Sequence, residues 1–127
     1  MGGSYAKPKQ DLPKCCDTIV EEVRHNPVMI YTTSSCGYCT MAKDLFKEEG
    51  IDYFERDIEA LHKVSPAMAT ECVRGLQVIT KRSTVPQIFI CKDYVGGYDA
   101  LLASRARLHD MVAKCVPNHK KPTRPQL

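Results

Sequence analysis

The sequence predicts an α/β domain in which a mixed sheet of four strands is flanked by helices. Short apolar runs of strand type alternate with segments whose apolar residues recur at helical spacing. The last two strand-type runs lie two residues apart, which favours an antiparallel hairpin. With 127 residues, 43% of them apolar, the chain suits one domain with a hydrophobic core. The expected order is an N-terminal helix followed by β-α-β-α-β-β-α.

A first helix is predicted to begin at Asp11, a suitable N-cap, and to end at Asn26-Pro27. The continuous apolar run Val28–Thr32 then predicts a strand that is buried on both faces of a sheet. The inward stripe of the helix combines five residues at helical spacing: Leu12, Cys16, Ile19, Val20 and Val23.

The next helix is predicted to end at Gly50, because glycine suits a left-handed C-terminal cap. Residues 51–58 alternate imperfectly between apolar and polar side chains, which indicates a second strand. A strand-helix-strand unit places that strand parallel to the first. The apolar stripe of the helix, in which Met41 is interpreted as core filler, contains Met41, Ala42, Leu45 and Phe46.

Another helix is predicted to start at Ser65-Pro66, which supplies an N-cap and a first-turn proline, and to run to about Ile79. Its inward residues are expected to be Ala69, Cys72, Val73 and Leu76.

The third strand is predicted over residues 85–91, and the fourth at Tyr94-Val95 after a Lys92-Asp93 turn. Asp99 is expected to cap a last helix. The apolar stripe of that helix contains Ala100, Leu101, Leu108, Met111, Val112 and Cys115.

Composition predicts where the folded domain begins and ends, and in which compartment the protein is expected. Residues 1–10 are interpreted as a flexible arm, residues 11–116 as the domain, and residues 117–127 as a disordered basic tail. A net charge of +3 is too mild to indicate nucleic-acid binding. Because the sequence shows no secretory signal and no apolar run of membrane-spanning length, we expect a soluble cytoplasmic protein without a membrane partner.

Seven cysteines form an odd and high number, so they cannot all be paired, and a reducing compartment is the simpler setting. Cys72, Cys91 and Cys115 lie at apolar-patterned positions and are interpreted as small buried hydrophobic residues. In the adjacent pair Cys15-Cys16, helical geometry allows Cys16 to face the core while Cys15 is exposed.

Cys36 and Cys39 form a thiol pair between the first strand and the following helix. The unpaired N–H groups and partial positive charge of a helix start stabilise a thiolate, so Cys36 is the predicted nucleophile. Cys39 lies one turn deeper on the same face and is the predicted resolving thiol. Structural zinc is disfavoured because no second C-x-x-C and no H-x-H or H-x-x-x-H pair is present.

Three motifs resemble those of dithiol glutaredoxins, over about residues 12–116: Cys36-Gly37-Tyr38-Cys39, a Thr-Val-Pro segment at residues 84–86, and Gly-Gly-Tyr-Asp at residues 96–99. Together they are highly specific, and the element order is that of the thioredoxin-like fold. Thioredoxins themselves are disfavoured, because they place a tryptophan before the first cysteine and this chain has none.

The resemblance implies a glutathione site around Cys36. Val85 is expected to bind the cysteine of the tripeptide through its backbone, with a cis peptide bond at Pro86. The γ-glutamyl end is expected at the backbone of Tyr98 and the side chain of Asp99. The full implied set is Tyr38, Thr84, Val85, Pro86, Gly97, Tyr98, Asp99 and Arg74.

The resemblance therefore implies a glutathione-dependent thiol-disulfide oxidoreductase, monomeric, acting on disulfide-bonded or glutathionylated proteins with glutathione or a related thiol. The alternative is a [2Fe-2S] carrier, in which Cys36 of two chains ligates one cluster, favoured by Gly37 in place of the usual proline. Many relatives carry lysine where this chain has Thr33. Arg74, Lys81 and Arg82 are the open candidates for the missing cation.

Overall fold

The computed structural model describes residues 15–122, whose helices and strands follow the predicted order except that a short helix is added after the second strand and the last helix is divided. The strands are β1 (Val28–Thr32), β2 (Phe54–Asp57), β3 (Gln87–Ile90) and β4 (Asp93–Gly96). The helices are α1 (Cys15–His25), α2 (Gly37–Glu49), α3 (Ile58–Val64), α4 (Pro66–Thr80), α5 (Tyr98–Ala103) and α6 (Leu108–Ala113), with a 3-10 turn at Arg105–Arg107.

The four strands form one mixed sheet in the order β2-β1-β3-β4. β1 pairs in parallel with β2 and antiparallel with β3, so that Ile30 lies opposite Glu55 on one side and Ile88 on the other. β3 and β4 form the antiparallel hairpin. The predicted fold class and strand directions are confirmed.

Strand β1 lies in the middle of the core, and all five of its residues are buried. Val28 and Ile30 point to one side, into a cluster with α2, α5 and α6, whereas Met29 and Tyr31 point to the other, into a cluster with α1 and α4. Because successive side chains of a strand face opposite sides, only a continuously apolar strand can serve both clusters.

The predicted strand over residues 51–58 is wrong at both ends, because β2 is only four residues long and a short helix follows it. The side chain of Asp57 accepts hydrogen bonds from the N–H groups of Glu59 (2.9 Å) and Ala60 (3.1 Å), so it caps α3. Ile58, assigned to the strand, is the first residue of this helix. The aspartate N-cap was the available signal, but Ser65-Pro66 offered a stronger start only eight residues later.

The hairpin turn and the last helix also differ from the prediction. The turn is at Cys91-Lys92, whose φ angles are +49° and +75°, and β4 therefore begins at Asp93. The last helix is divided into α5, the 3-10 turn and α6. Gly97 is its N-cap, without a side-chain hydrogen bond, so the predicted capping role of Asp99 is wrong.

Besides Cys115, three residues assigned to buried stripes are exposed: Val20 (38%), Met41 (46%) and Val73 (37%). Each follows or precedes a buried residue directly, and neighbouring residues on a helix point about 100° apart. In α2 the buried face is set by Cys39, Ala42, Leu45 and Phe46. The predicted left-handed cap at Gly50 is confirmed, with φ of +69°.

Cys91 and Cys115 form a disulfide, which overturns their interpretation as small buried hydrophobic residues. The bond joins the turn after β3 to the segment after α6, and the two Cα atoms are 5.5 Å apart. Cys115 is exposed and Cys91 is half-buried, whereas Cys16 and Cys72 are buried as expected. A pairing across 24 residues depends on tertiary placement, which apolar patterning does not report.

The predicted arm, residues 1–10, and the predicted cap at Asp11 lie outside the described residues, and so do residues 123–127 of the predicted tail. The described part of that tail, residues 117–122, contacts the domain. The imidazole of His119 stacks on that of His109 with ring centres 5.0 Å apart. Within residues 15–122, no helix combines the length and apolar character that crossing a membrane requires.

Candidate active site

Cys36 lies between the carboxyl end of β1 and the first residue of α2, where it is the N-cap of the helix. Its Sγ accepts a hydrogen bond from the backbone N–H of Cys39 at 3.0 Å. The residue is half-buried, so part of its surface is accessible from solvent. A sulfur that receives N–H groups at a helix start is stabilised as a thiolate, which is the nucleophilic form.

Cys39 has a contrasting environment, since only 1% of its surface is exposed. Burial, together with a hydrogen bond to the Cys36 sulfur, raises the pKa of Cys39 to about 12, although a backbone hydrogen bond from Thr33 partly opposes the shift. Cys39 is therefore a protonated thiol at neutral pH. The pair thus combines a half-buried cysteine, whose sulfur accepts an N–H bond, with a buried thiol one helical turn away.

Carboxylates on β2 and α3 brace the turn that leads to Cys36. Asp57 accepts from the Ser34 hydroxyl at 2.7 Å, and Glu59 accepts from the Ser35 hydroxyl at 3.3 Å. Partial burial acts to raise the pKa of Asp57, but the hydroxyl of Ser34 and the N–H groups at the start of α3 hold it below its usual value. The sequence interpretation missed these residues, although β2 carries alternating acidic side chains.

A second brace connects β1, β2 and α2. Glu55 accepts hydrogen bonds from the hydroxyl of Thr32 at 2.5 Å and from the ammonium group of Lys43 at 3.0 Å. The hydrogen bond that Lys43 donates to Glu55 raises the pKa of Lys43, so this lysine stays charged. Lys43 lies one turn beyond Cys39 on α2, and its charge acts on the buried thiol.

Seven of the eight residues predicted to bind glutathione line one groove of about 490 Å³. They are Tyr38, Thr84, Val85, Pro86, Gly97, Tyr98 and Asp99. The Val85-Pro86 peptide bond is cis, as the resemblance implied. The carbonyl of Val85 lies 3.7 Å from the Cys36 sulfur, so the groove begins at the thiol.

Close packing shapes two walls of this groove. The rings of Tyr38 and Tyr98 are stacked, with centres 6.0 Å apart and an interplanar angle of 26°. At Gly97, a Cβ atom would lie 3.5 Å from the carbonyl oxygen of Pro86, which shows how closely the two segments approach.

Arg74, the eighth predicted residue, lines a different groove of about 620 Å³ together with Thr33 and Ser83. Arg82 instead lines the groove of Val85 and Asp99. Among the three cations left open by the sequence, Arg82 is therefore the one that lies with the other predicted residues. Within the described part of the chain, no group of three or more His, Cys, Asp or Glu side chains could hold a metal ion.

Comparison with known proteins identifies the family. Residues 28–95 match the family model named Glutaredoxin. A glutaredoxin of Pseudomonas aeruginosa is 39% identical over 77 residues, which cover 61% of this chain and 82% of that protein. The chloroplastic glutaredoxin-C5 of Arabidopsis thaliana is 32% identical over 81 residues, which cover 64% of this chain but only 44% of that protein.

Solved structures show the same fold. A buckwheat glutaredoxin in complex with glutathione superposes with a TM-score of 0.73 at 24% identity, covering 85% of this chain and 96% of that one. At this identity the likeness concerns the fold alone. The family model covers both thiols, the Thr-Val-Pro segment and the start of the hairpin's last strand, which is more than half of the chain. This chain is a member of the glutaredoxin family.

Proposed function

We propose that this protein is a glutathione-dependent thiol-disulfide oxidoreductase with Cys36 as nucleophile and Cys39 as resolving thiol. The observation that carries the proposal is the 3.0 Å hydrogen bond from the Cys39 amide to the Cys36 sulfur at the start of α2. It stabilises an attacking thiolate and places the second thiol one turn away.

Glutathione is proposed to bind in the groove beside Cys36. Its cysteine would lie along the backbone of Val85, whose carbonyl is 3.7 Å from the reacting sulfur. Its γ-glutamyl end would lie at the start of α5, where the N-cap Gly97 makes no side-chain capping bond and Asp99 is exposed. Arg82 supplies a positive charge on the same groove for a carboxylate of the tripeptide.

The reaction proceeds by two exchanges. The Cys36 thiolate attacks the glutathione sulfur of a glutathionylated protein, a Cys36-glutathione disulfide forms, and the protein leaves as a thiolate that takes up a proton. The thiolate of a second glutathione then attacks the bound glutathione and releases Cys36 together with glutathione disulfide. With a protein disulfide, the Cys36 thiolate first attacks one of the two sulfurs and forms a mixed disulfide with the protein. Cys39 then loses its proton and attacks the Cys36 sulfur, which forms the Cys36–Cys39 disulfide and releases the reduced protein. Two molecules of glutathione reduce that disulfide and leave as glutathione disulfide.

Two serine variants test these roles. We expect Cys36→Ser to lose both activities, while Cys39→Ser retains deglutathionylation and loses reduction of protein disulfides. Steady-state rates with a glutathionylated peptide and with a disulfide-bonded protein measure the difference. Equal losses in both assays for the two variants would contradict the assignment. Glutathione and a related thiol conjugate, each supplied as sole reductant, decide which thiol the groove accepts.

A [2Fe-2S] carrier is the second candidate, and the observation that favours it is the open space at Gly37. Apart from its chain neighbours and the backbone of its own helix, no atom lies within 4 Å of the position that a Cβ would occupy there. One chain alone does not fit such a cluster, which takes four thiolates, because Cys39 is buried and protonated and only Cys36 is accessible. Anaerobic reconstitution followed by absorption spectroscopy and sizing distinguishes the candidates, and a colourless monomer would exclude the carrier.

A further inference from the structure

The groove between α3 and α4 begins beside Cys36 but is separate from the predicted glutathione groove. It has a volume of about 620 Å³, and Thr33 and Ser83 form its end nearest to the thiols. The backbone of Thr33 accepts a hydrogen bond from the N–H of Cys36 at 3.3 Å, which joins this end to the nucleophile. The two grooves share no lining residue.

The floor of this groove, which we call the α3–α4 groove, is apolar. Ile58 and Ala69 lie at its base, and Val73 is 37% exposed along its wall. Exposed apolar surface of this kind next to a reactive group is typical of a site that receives a partner. Glutathione, whose ends are charged, is a poor match for such a floor.

The edge of the α3–α4 groove nearest to the nucleophile is acidic. Glu59 lines the groove and bonds the hydroxyl of Ser35, the residue before Cys36. Asp57 bonds the hydroxyl of Ser34 next to it, and the position three residues before Cys36 is the neutral Thr33. Arg74 and His62 line the same groove, so the negative charge is local to the two carboxylates, Glu59 and Asp57, that bond Ser35 and Ser34. A partner that reaches Cys36 past these carboxylates is favoured by a positive charge beside its reacting sulfur.

We propose that the α3–α4 groove binds the polypeptide around the reacting cysteine of a substrate protein, with an apolar side chain on Ile58 and Val73 and a basic one facing Glu59. This inference rests on the proposed function. A glutathionylated protein presents two chains at one disulfide, glutathione and polypeptide, and two separate grooves that meet at Cys36 accommodate both. The α3–α4 groove thus distinguishes one substrate protein from another, whereas the groove of Val85 binds glutathione, which all glutathionylated substrates share.

Three glutathionylated peptides test this assignment. The parent carries a leucine and a lysine beside its cysteine, the second has glutamate for that lysine, and the third has serine for that leucine. Each kcat/KM is divided by the value that the same variant gives with glutathionylated 2-mercaptoethanol, which is too small to reach the α3–α4 groove. This ratio removes any general effect of a substitution on the thiols.

We expect the native chain to prefer the lysine peptide over the glutamate peptide by about two- to fivefold at low salt, and Glu59→Lys to reverse this preference. Val73→Asp should remove the advantage of leucine over serine, on the order of fivefold. Glu71→Lys is the matched control, because Glu71 is an exposed residue of α4 outside the groove, and it should keep the native preference. Equal effects of Glu59→Lys and Glu71→Lys, or no advantage of leucine in the native chain, would overturn the proposal.

A binding experiment separates this inference from the proposed function. The parent peptide with serine for cysteine cannot react, so amide chemical shifts on its addition report binding alone. Shifts confined to α3, α4 and the Thr33 turn support the groove even if the native chain fails to process glutathionylated 2-mercaptoethanol, a result that would refute only the proposed function. The inference is overturned if the peptide causes no shifts or shifts only other residues. It is also overturned if the same residues shift with protein concentration when no peptide is present, because that result would indicate binding of a second copy of the chain.

Discussion

Lys43 and Glu55 form an ion pair of 3.0 Å between α2 and β2, one helical turn beyond the buried thiol of Cys39. Both side chains are about a quarter exposed, with 27% of their surface accessible. Because both groups are partly buried, water screens the effect of the Lys43 charge on the Cys39 thiol only in part. Glu55 also bonds Thr32 at the end of β1, so the same contact holds the strand, the helix and the turn together.

Replacing Lys43 and replacing Glu55 should change the rate of the resolving step in opposite directions. Lys43→Met leaves the charge of Glu55 uncompensated, which makes the Cys39 thiolate harder to form and slows its attack, by roughly tenfold at neutral pH. Glu55→Gln leaves Lys43 uncompensated and should accelerate the attack, while its amide oxygen can still accept from Thr32. Single-turnover release of glutathione from the Cys36 mixed disulfide measures this step. Slower release in both variants would mean that the pair acts only on structure.

The buried thiol of Cys39 should make the protein less stable at high pH. Burial raises the pKa of Cys39 from 9.0 to about 12, so the native state holds this proton more tightly than the unfolded chain does. The associated stability is complete below pH 9 and is lost as the pH rises toward 12. The free energy of unfolding of Cys39→Ala should therefore fall less between pH 8 and 11 than that of the native chain. Parallel pH profiles of the two proteins would contradict this assignment.

The Cys91–Cys115 disulfide should stabilise the fold. It closes a loop of about 24 residues that contains β4, the Gly-Gly-Tyr-Asp segment and α5. Because the bond lowers the chain entropy of the unfolded state, removing it should lower the free energy of unfolding by about 3 kcal/mol. Denaturant unfolding of the oxidised native chain and of Cys115→Ser measures the difference. Reductant should lower the stability of the native chain to that of the variant and leave the variant unchanged, and a native chain insensitive to reductant would contradict the prediction.

The stacked rings of Tyr38 and Tyr98 should support glutathione binding. Tyr98→Ala removes the ring that lies 6.0 Å from that of Tyr38 and opens one wall of the groove. Since an aromatic pair is worth about 0.5–1.5 kcal/mol, the KM for a glutathionylated peptide should rise by about two- to tenfold. Tyr98→Phe keeps the ring and serves as the control. Equal KM values for Tyr98→Ala and Tyr98→Phe would show that the stack does not contribute.

The sheet, its strand directions and the thiol pair were predictable because their signals are local. β1 is recognisable as a continuous apolar run. α2 is recognisable because the two cysteines mark its start and an apolar stripe runs from them to the glycine cap at Gly50. The short helix α3 was missed, because a seven-residue element carries less than two turns of periodicity. Its one local signal, the cap at Asp57, cannot be distinguished from the last polar residue of a strand.

The sequence by itself determined that Cys36 and Cys39 lie one helical turn apart, which is the basis of their proposed roles, since this spacing is a property of the backbone alone. Tertiary structure alone decided which side chains meet. It paired Cys91 with Cys115, set Arg82 rather than Arg74 in the groove of Val85, and brought Glu59 beside Ser35. These contacts join residues 24 apart in the chain at Cys91 and Cys115 and again at Ser35 and Glu59. No local pattern encodes them, because each depends on how helices pack on the two faces of the sheet.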